Sequence, residues 1–224
     1  MQDIENLHYK TDHLSLTNIH INTSPEYIEF LSKILDNITP KTTINQLMTK
    51  YKRELKIQPK KAEVSLLYKY LVSTNKIKPN HLFEEKNIIK QIRSTSGVLV
   101  ITVFMSDKPN GNDFTCQWDC SFCPSEPGQP KSYLSDEPGV QRGKRNNFDP
   151  ISQFNERAST HFINGHTVDK VEVLILGGTF HSYPSDYRKN FITQLLYAAN
   201  TIYDTNKRVI YSHKNEVLAN ENAL

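Results

Sequence analysis

Val98-Leu99-Val100-Ile101-Thr102-Val103-Phe104-Met105 is followed, eleven residues on, by Cys116-Gln117-Trp118-Asp119-Cys120-Ser121-Phe122-Cys123-Pro124. The first run is apolar, β-branched and of strand length, with no clean alternation, which predicts a strand buried on both faces. The second holds all three cysteines of the chain within eight residues. An odd number packed this tightly suits a metal site better than a disulfide framework, and a reducing, cytoplasmic setting. Soft thiolates favour zinc or an iron–sulfur cluster over hard cations. Three of them can hold three irons of a four-iron cluster and leave the fourth iron open. A closed zinc site needs a fourth ligand. His161, His166 and His181 are of the right type, but their spacing does not point at the loop.

Order resumes after a long loop, 106–149, rich in Pro, Gly, Asp, Lys and Arg; a stretch of that length is usually functional. Ile151, Phe154, Ala158 and Phe162 form a helical stripe that stops at Gly165. Val171-Glu172-Val173-Leu174-Ile175-Leu176 reads as a second buried strand, ending in Gly177-Gly178-Thr179. A helix from Pro184-Ser185-Asp186 follows, with Tyr187, Phe191, Leu195, Ala199 and Ile202 inward. Strand, helix, strand, helix at this spacing implies parallel pairing through right-handed crossovers. Val209-Ile210-Tyr211 is expected as a short strand, and 216–224 as a helix.

Upstream, Ser24-Pro25-Glu26 reads as an N-cap with proline in the first turn, and Ile28, Leu31, Leu35 and Ile38 follow at helical spacing. Two more helices are expected, around Ile44–Leu55 and Ala62–Val72, so the first ninety residues form a small helical module. The chain has 224 residues, 37% hydrophobic and 23% charged, which supports a folded core. Its 27 Lys+Arg against 24 Asp+Glu give +3, which alone neither invites nor excludes nucleic acid. No apolar run reaches 18 residues and the N-terminus lacks an apolar signal core, so no membrane association is expected.

Cys-x3-Cys-x-aromatic-Cys after the first strand of a parallel β/α domain resembles the radical S-adenosylmethionine (SAM) enzymes. Several flanking stretches resemble, more narrowly, the catalytic subunit of the Elongator complex. They are Ile92-Arg93-Ser94-Thr95-Ser96-Gly97, Ser132-Tyr133-x-x-x-Glu137-Pro138, Asp149-Pro150, and Gly165-His166-x-Val168-Asp169-Lys170-Val171-Glu172. Gly177-Gly178-Thr179-Phe180-x-Ser182-x-Pro184-x-x-Tyr187-Arg188 completes the set. The resemblance runs from about residue 45 to the C-terminus and is dense between 92 and 192.

The resemblance implies an α/β fold: a helical module over 1–91, then, over 92–224, the first units of a radical SAM partial (β/α)6 barrel. It implies a [4Fe-4S] cluster on Cys116, Cys120 and Cys123, with SAM against Phe122, Gly177, Gly178 and Thr179. It places acetyl-CoA near Lys170 and modification of the tRNA wobble uridine as the family activity, a carboxymethyl-type transfer from acetyl-CoA. tRNA contact is implied for Lys50, Lys52, Arg53, Lys56, Lys60 and Lys61, and for Arg142, Lys144 and Arg145 in the later loop, where phosphate contacts give affinity. No residue is assigned as catalytic.

Two local departures stand out. The gap between the first two cysteines is the short one of the wider superfamily, and Ser125-Glu126 stands where the family commonly has Gly-Gly. The family's remaining barrel and acetyltransferase-like domain have no counterpart in these 224 residues. The expectation is therefore a truncated homologue, inactive alone unless a companion polypeptide completes the barrel. An RNA-binding module without chemistry and a structural zinc protein are the alternatives.

Overall fold

The computed structural model describes residues 21–88, 90–118, 120–203 and 212–222. In chain order the elements are α1 (Pro25–Asn37), α2 (Ile44–Leu55), α3 (Lys61–Ser73), α4 (His81–Asn87), β1 (Leu99–Phe104), α5 (Pro138–Arg145), α6 (Pro150–Ile163), β2 (Val171–Leu176), α7 (Ser185–Asn200) and α8 (His213–Asn222). The expected strand at Val209-Ile210-Tyr211 lies outside the described residues. The described chain divides into two units: residues up to Gly97 together with Ser159–Asp169, and Val98–Ala158 together with residues from Lys170 on. The break thus falls a few residues after the 91/92 boundary read from sequence, and the end of α6 joins the first unit.

The first unit is helical. Pro25 sits in the first turn of α1 and Ser24 precedes it in extended conformation, but the Ser24 side chain makes no cap bond. The working cap belongs to α2: Gln46 N–H donates to Thr43 Oγ1 at 3.2 Å and Thr43 N–H to Gln46 Oε1 at 2.9 Å, the reciprocal capping box. Phe30, Leu31, Ile34, Tyr51, Leu67 and Phe83 are fully buried where α1 to α4 meet. The short α4, absent from the sequence reading, is too brief to show a period. It is fixed by Asn80, whose Oδ1 accepts from Phe83 N–H at 3.0 Å, and by Tyr68, whose hydroxyl donates to Glu84 at 2.7 Å.

Lys69 of α3 donates to the Phe162 carbonyl at 2.6 Å, its Nζ 3.3 Å from the centre of the Phe162 ring. The side chain as a whole is half-buried, but the ammonium is its enclosed end. Enclosure pushes the group down to about 7, with the Glu84 charge opposing. An unfolded lysine titrates near ~10.4. Between these values the unfolded chain holds more protons, so this group makes stability rise with pH from about 7 to about 10 and contributes no slope below that window. Denaturant unfolding at a series of pH values is expected to show that rise in the wild type and to lose it in Lys69→Met.

The second unit is built on one parallel strand pair. β1 and β2 match residue for residue, Leu99 with Val171 through Phe104 with Leu176. One face carries Leu99, Ile101 and Val103, all fully buried. The opposite face is open from its start to mid-strand, where Val100 and Leu174 are each 41% exposed. The expectation that both strands are buried on both faces is therefore corrected: a sheet with two strands among the described residues lacks the neighbours that would cover them. At the other end Phe104 and Leu176 pack with Val140, Phe148 and Tyr133.

The 106–149 segment is not wholly irregular, because α5 begins at Pro138, a residue pre-shaped for a first helical turn. Its two glycines obscured it in the sequence and explain how it packs. A Cβ on Gly139 would come within 2.8 Å of the Phe104 ring, and one on Gly143 within 2.8 Å of the Phe148 ring. Among the described residues no helix is long and apolar enough to cross a membrane.

The outer edge of β1 is closed by a side chain. Phe104 N–H donates to Gln153 Oε1 and Gln153 Nε2 donates to the Phe104 carbonyl, both at 2.9 Å. The Gln153 amide thus replaces a residue of a neighbouring strand, blunting an edge that would otherwise pair with other chains. Gln153→Leu leaves two buried backbone groups unpaired and is expected to cost on the order of 2–4 kcal/mol in equilibrium unfolding.

Candidate functional site at the carboxyl ends of the strands

Parallel pairing brings the carboxyl ends of β1 and β2 to the same side. The last ladder bond runs from Met105 N–H to the Leu176 carbonyl at 2.8 Å. Beyond it the cysteine loop leaves β1 and Gly177-Gly178-Thr179 leaves β2. The loop's root is tied to the start of α7: Ser106 N–H donates to the Tyr187 hydroxyl at 3.0 Å and Asn110 Nδ2 to Asp186 at 2.9 Å.

Both glycines are required by their surroundings. Gly177 has φ 122°, and a Cβ there would lie 2.9 Å from the Tyr183 hydroxyl; on Gly178 it would lie 2.5 Å from the Phe114 ring. Phe114 and Tyr183 stack with ring centres 4.0 Å apart. The close approach that the two glycines permit is thus taken up by this aromatic pair. Among the described residues the Tyr183 hydroxyl is buried without a hydrogen-bond partner, and burial pushes its pKa far up, so it stays protonated.

The cysteines are arranged around this bend. Gly178 N–H donates to the Lys131 carbonyl at 2.9 Å, holding the return strand of the loop against the end of β2. Next to Gly178, Thr179 Oγ1 lies 3.4 Å from Cys116 Sγ, and the Ser182 hydroxyl donates to the same sulfur at 3.9 Å. Next to Lys131, Ser132 Oγ lies 2.8 Å from Cys123 Sγ. Cys123 N–H donates to the Cys120 carbonyl at 3.0 Å, closing the turn between those two cysteines. The Cys116 thiol is lowered below its usual range, first by the Thr179 hydroxyl and then by the Trp118 backbone, which favours the thiolate.

The three thiols are uncombined, Cys116 and Cys123 half-buried and Cys120 exposed. Among the described residues they are not drawn into one metal-holding group, nor does a histidine join them. As a donor set, three accessible soft sulfurs, one poised toward its ionised form, fit a thiophilic metal or an iron–sulfur cluster. Phe122 is 87% exposed and Trp118 60% exposed, so two large rings stand in solvent on the cysteine loop.

Lys170 lies elsewhere. It precedes β2, its carbonyl accepting from Leu99 N–H at 3.0 Å, so it sits at the amino end of the sheet, a strand's length (~20 Å) from the cysteines. Of the basic residues in the first unit, Lys50, Arg53, Lys56 and Lys60 are exposed, and Lys52 and Lys61 are half-buried. Lys61 donates to the Lys86 carbonyl at 3.4 Å, and burial lowers its pKa. On α5, Lys144 is exposed, Arg142 half-buried, and Arg145 pairs with Glu156 at 3.0 Å.

No family model matches the chain. Individual relatives do. Elongator complex protein 3 of Saccharomyces cerevisiae is 30% identical over 203 residues, covering 84% of this chain and 34% of that protein. Over this stretch the chain is Elongator complex protein 3-like. The tRNA uridine(34) acetyltransferase of Methanocaldococcus jannaschii is 36% identical over 132 residues, 53% of this chain and 23% of that enzyme. The human Elongator complex protein 3 is 33% identical over 128 residues, with the same shares. The chain thus spans 23% to 34% of the length of these relatives.

Sequence reasoning passed over Ser132, Ser182, Phe114 and Tyr183. Ser132 and Ser182 stood inside the motifs that carry the family resemblance, but nothing in their spacing marks them as neighbours of a sulfur. Gly178→Ala tests the bend: it must displace the Phe114 ring and is expected to cost about 1–3 kcal/mol. Thermal unfolding reads this cost, and faster alkylation of Cys116 would report the loosened loop.

Proposed function

We propose that this chain carries the cluster- and SAM-binding part of a tRNA wobble-uridine-modifying radical enzyme, built as the first units of a partial (β/α)6 barrel. The observation that carries this reading is the junction of the Cys116 loop with Gly178-Thr179 at the shared carboxyl end of two parallel strands. Relatives named Elongator complex protein 3 and tRNA uridine(34) acetyltransferase support it. In this reading Cys116, Cys120 and Cys123 hold a [4Fe-4S] cluster, and Phe122, Gly177, Gly178 and Thr179 line the SAM side. When bound, such a cluster supplies the electron for reductive cleavage of SAM. Because Phe114 and Tyr183 fill the space beside the glycines, SAM would meet the backbone of this bend and not a hollow over it.

Lys50, Lys52, Arg53, Lys56, Lys60 and Lys61, with Arg142, Lys144 and Arg145, would hold tRNA phosphates. Lys170 would meet acetyl-CoA only at the end of the sheet away from the cysteines. The open sheet face at Val100 and Leu174 suits further polypeptide, from a companion chain or from more of the same one.

Anaerobic reconstitution with iron and sulfide, followed by EPR of the reduced protein, tests the core of the proposal. The expected result is a four-iron signal that changes on addition of SAM and vanishes in Cys120→Ser. A single zinc without sulfide, or a signal blind to SAM, would overturn it.

The exposed cations on and just after α2 favour a second, separable reading, RNA binding without chemistry. Replacing Lys50, Arg53 and Lys56 by Ala is expected to weaken tRNA binding and reduce its salt slope by roughly two to three. Persistence of binding after all three cysteines are changed to Ser would show that the two properties are independent.

A further inference from the structure

We propose that Ser132 is a positioning residue for Cys123, its hydroxyl donating to that sulfur and raising the reduction potential of the cluster held there; this rests on the cluster reading above. The Ser132 Oγ to Cys123 Sγ distance of 2.8 Å is the shortest of the three hydroxyl contacts to cysteine sulfur, the other two being 3.4 Å and 3.9 Å at Cys116.

The backbone around Ser132 is held from both sides. Its N–H donates to the Pro124 carbonyl at 3.1 Å, and the Lys131 carbonyl before it accepts from Gly178. The hydroxyl is therefore presented to a sulfur whose own place is fixed by the turn to Cys120.

The conformation of Ser132 is itself informative. Its φ is 76°, in the left-handed region, where a side chain costs about 1–2 kcal/mol that glycine avoids. Four residues earlier the chain meets nearly the same angle, φ 73°, and there it uses Gly128. Ser132 is one of seven described non-glycine residues with positive φ, and its side chain reaches Cys123. A hydrogen bond to a cluster sulfur draws off charge and favours the more negative, reduced state, so it raises the potential. Thr179, expected from sequence on the SAM side, instead accepts from the Cys116 thiol at 3.4 Å.

The test compares wild type, Ser132→Gly and Ser132→Ala as full 224-residue chains, reconstituted anaerobically with iron and sulfide and titrated potentiometrically with EPR detection. Glycine suits the backbone angle, so Ser132→Gly removes the hydroxyl while relieving strain, and a melting temperature at or above wild type verifies the fold. The expected result is wild-type iron and sulfide content with a lower potential in both variants, a shift that a merely structural serine would not produce. Full iron content with an unmoved potential overturns the role of Ser132 and leaves the cluster reading standing. No cluster in the wild type overturns both.

Discussion

The parallel register of β1 on β2 is the constraint on which the rest of the second unit depends. A parallel pair cannot be closed by a short turn, so the chain must travel back along the sheet before the second strand begins. That return path is α5 and α6, and its consequence is that both strands finish at the same end. The cysteine loop and the glycine bend, some sixty residues apart in sequence, are thereby delivered to one place. A one-residue slip would turn Leu99, Ile101 and Val103 out of the core and carry the loop root away from the bend.

What joins the two segments at that end is a small set of polar contacts. The Gly178 amide binds the Lys131 carbonyl, and the residue after each partner then reaches a cysteine: Thr179 to Cys116 and Ser132 to Cys123. Phe114 and Tyr183 stack in the space that two missing Cβ atoms leave open. The glycines therefore act first on the protein's own packing. Any ligand at the site meets a bend whose hollow side is already filled.

The sheet itself is guarded unevenly. Gln153 satisfies the outer backbone groups of Phe104, and α5 covers the sheet at that end through glycines that let the helix lie close. Val100 and, in mid-strand, Leu174 remain exposed on the same face. The protected end is thus the one that carries the cysteines, where rigid support matters most to a binding site.

The sequence by itself determined the long helices, the two strands and the types of donor atom. Apolar period, with Pro25 and Pro184 at helix starts, located the long helices, because period and terminus chemistry are local properties. Three clustered cysteines supplied soft donor atoms, and the motif residues 92–192 carried the likeness to Elongator complex protein 3. Only the tertiary structure decided which residues meet. That Ser132 faces Cys123, that Thr179 faces Cys116, that Lys170 lies at the far end of its strand, and that Gln153 substitutes for a strand neighbour all follow from the pairing of distant segments. No local signal encodes such contacts. The same holds for burial: the two strands read as covered on both faces from their composition, but cover is supplied by neighbours in space, and a strand's own residues do not say how many it has.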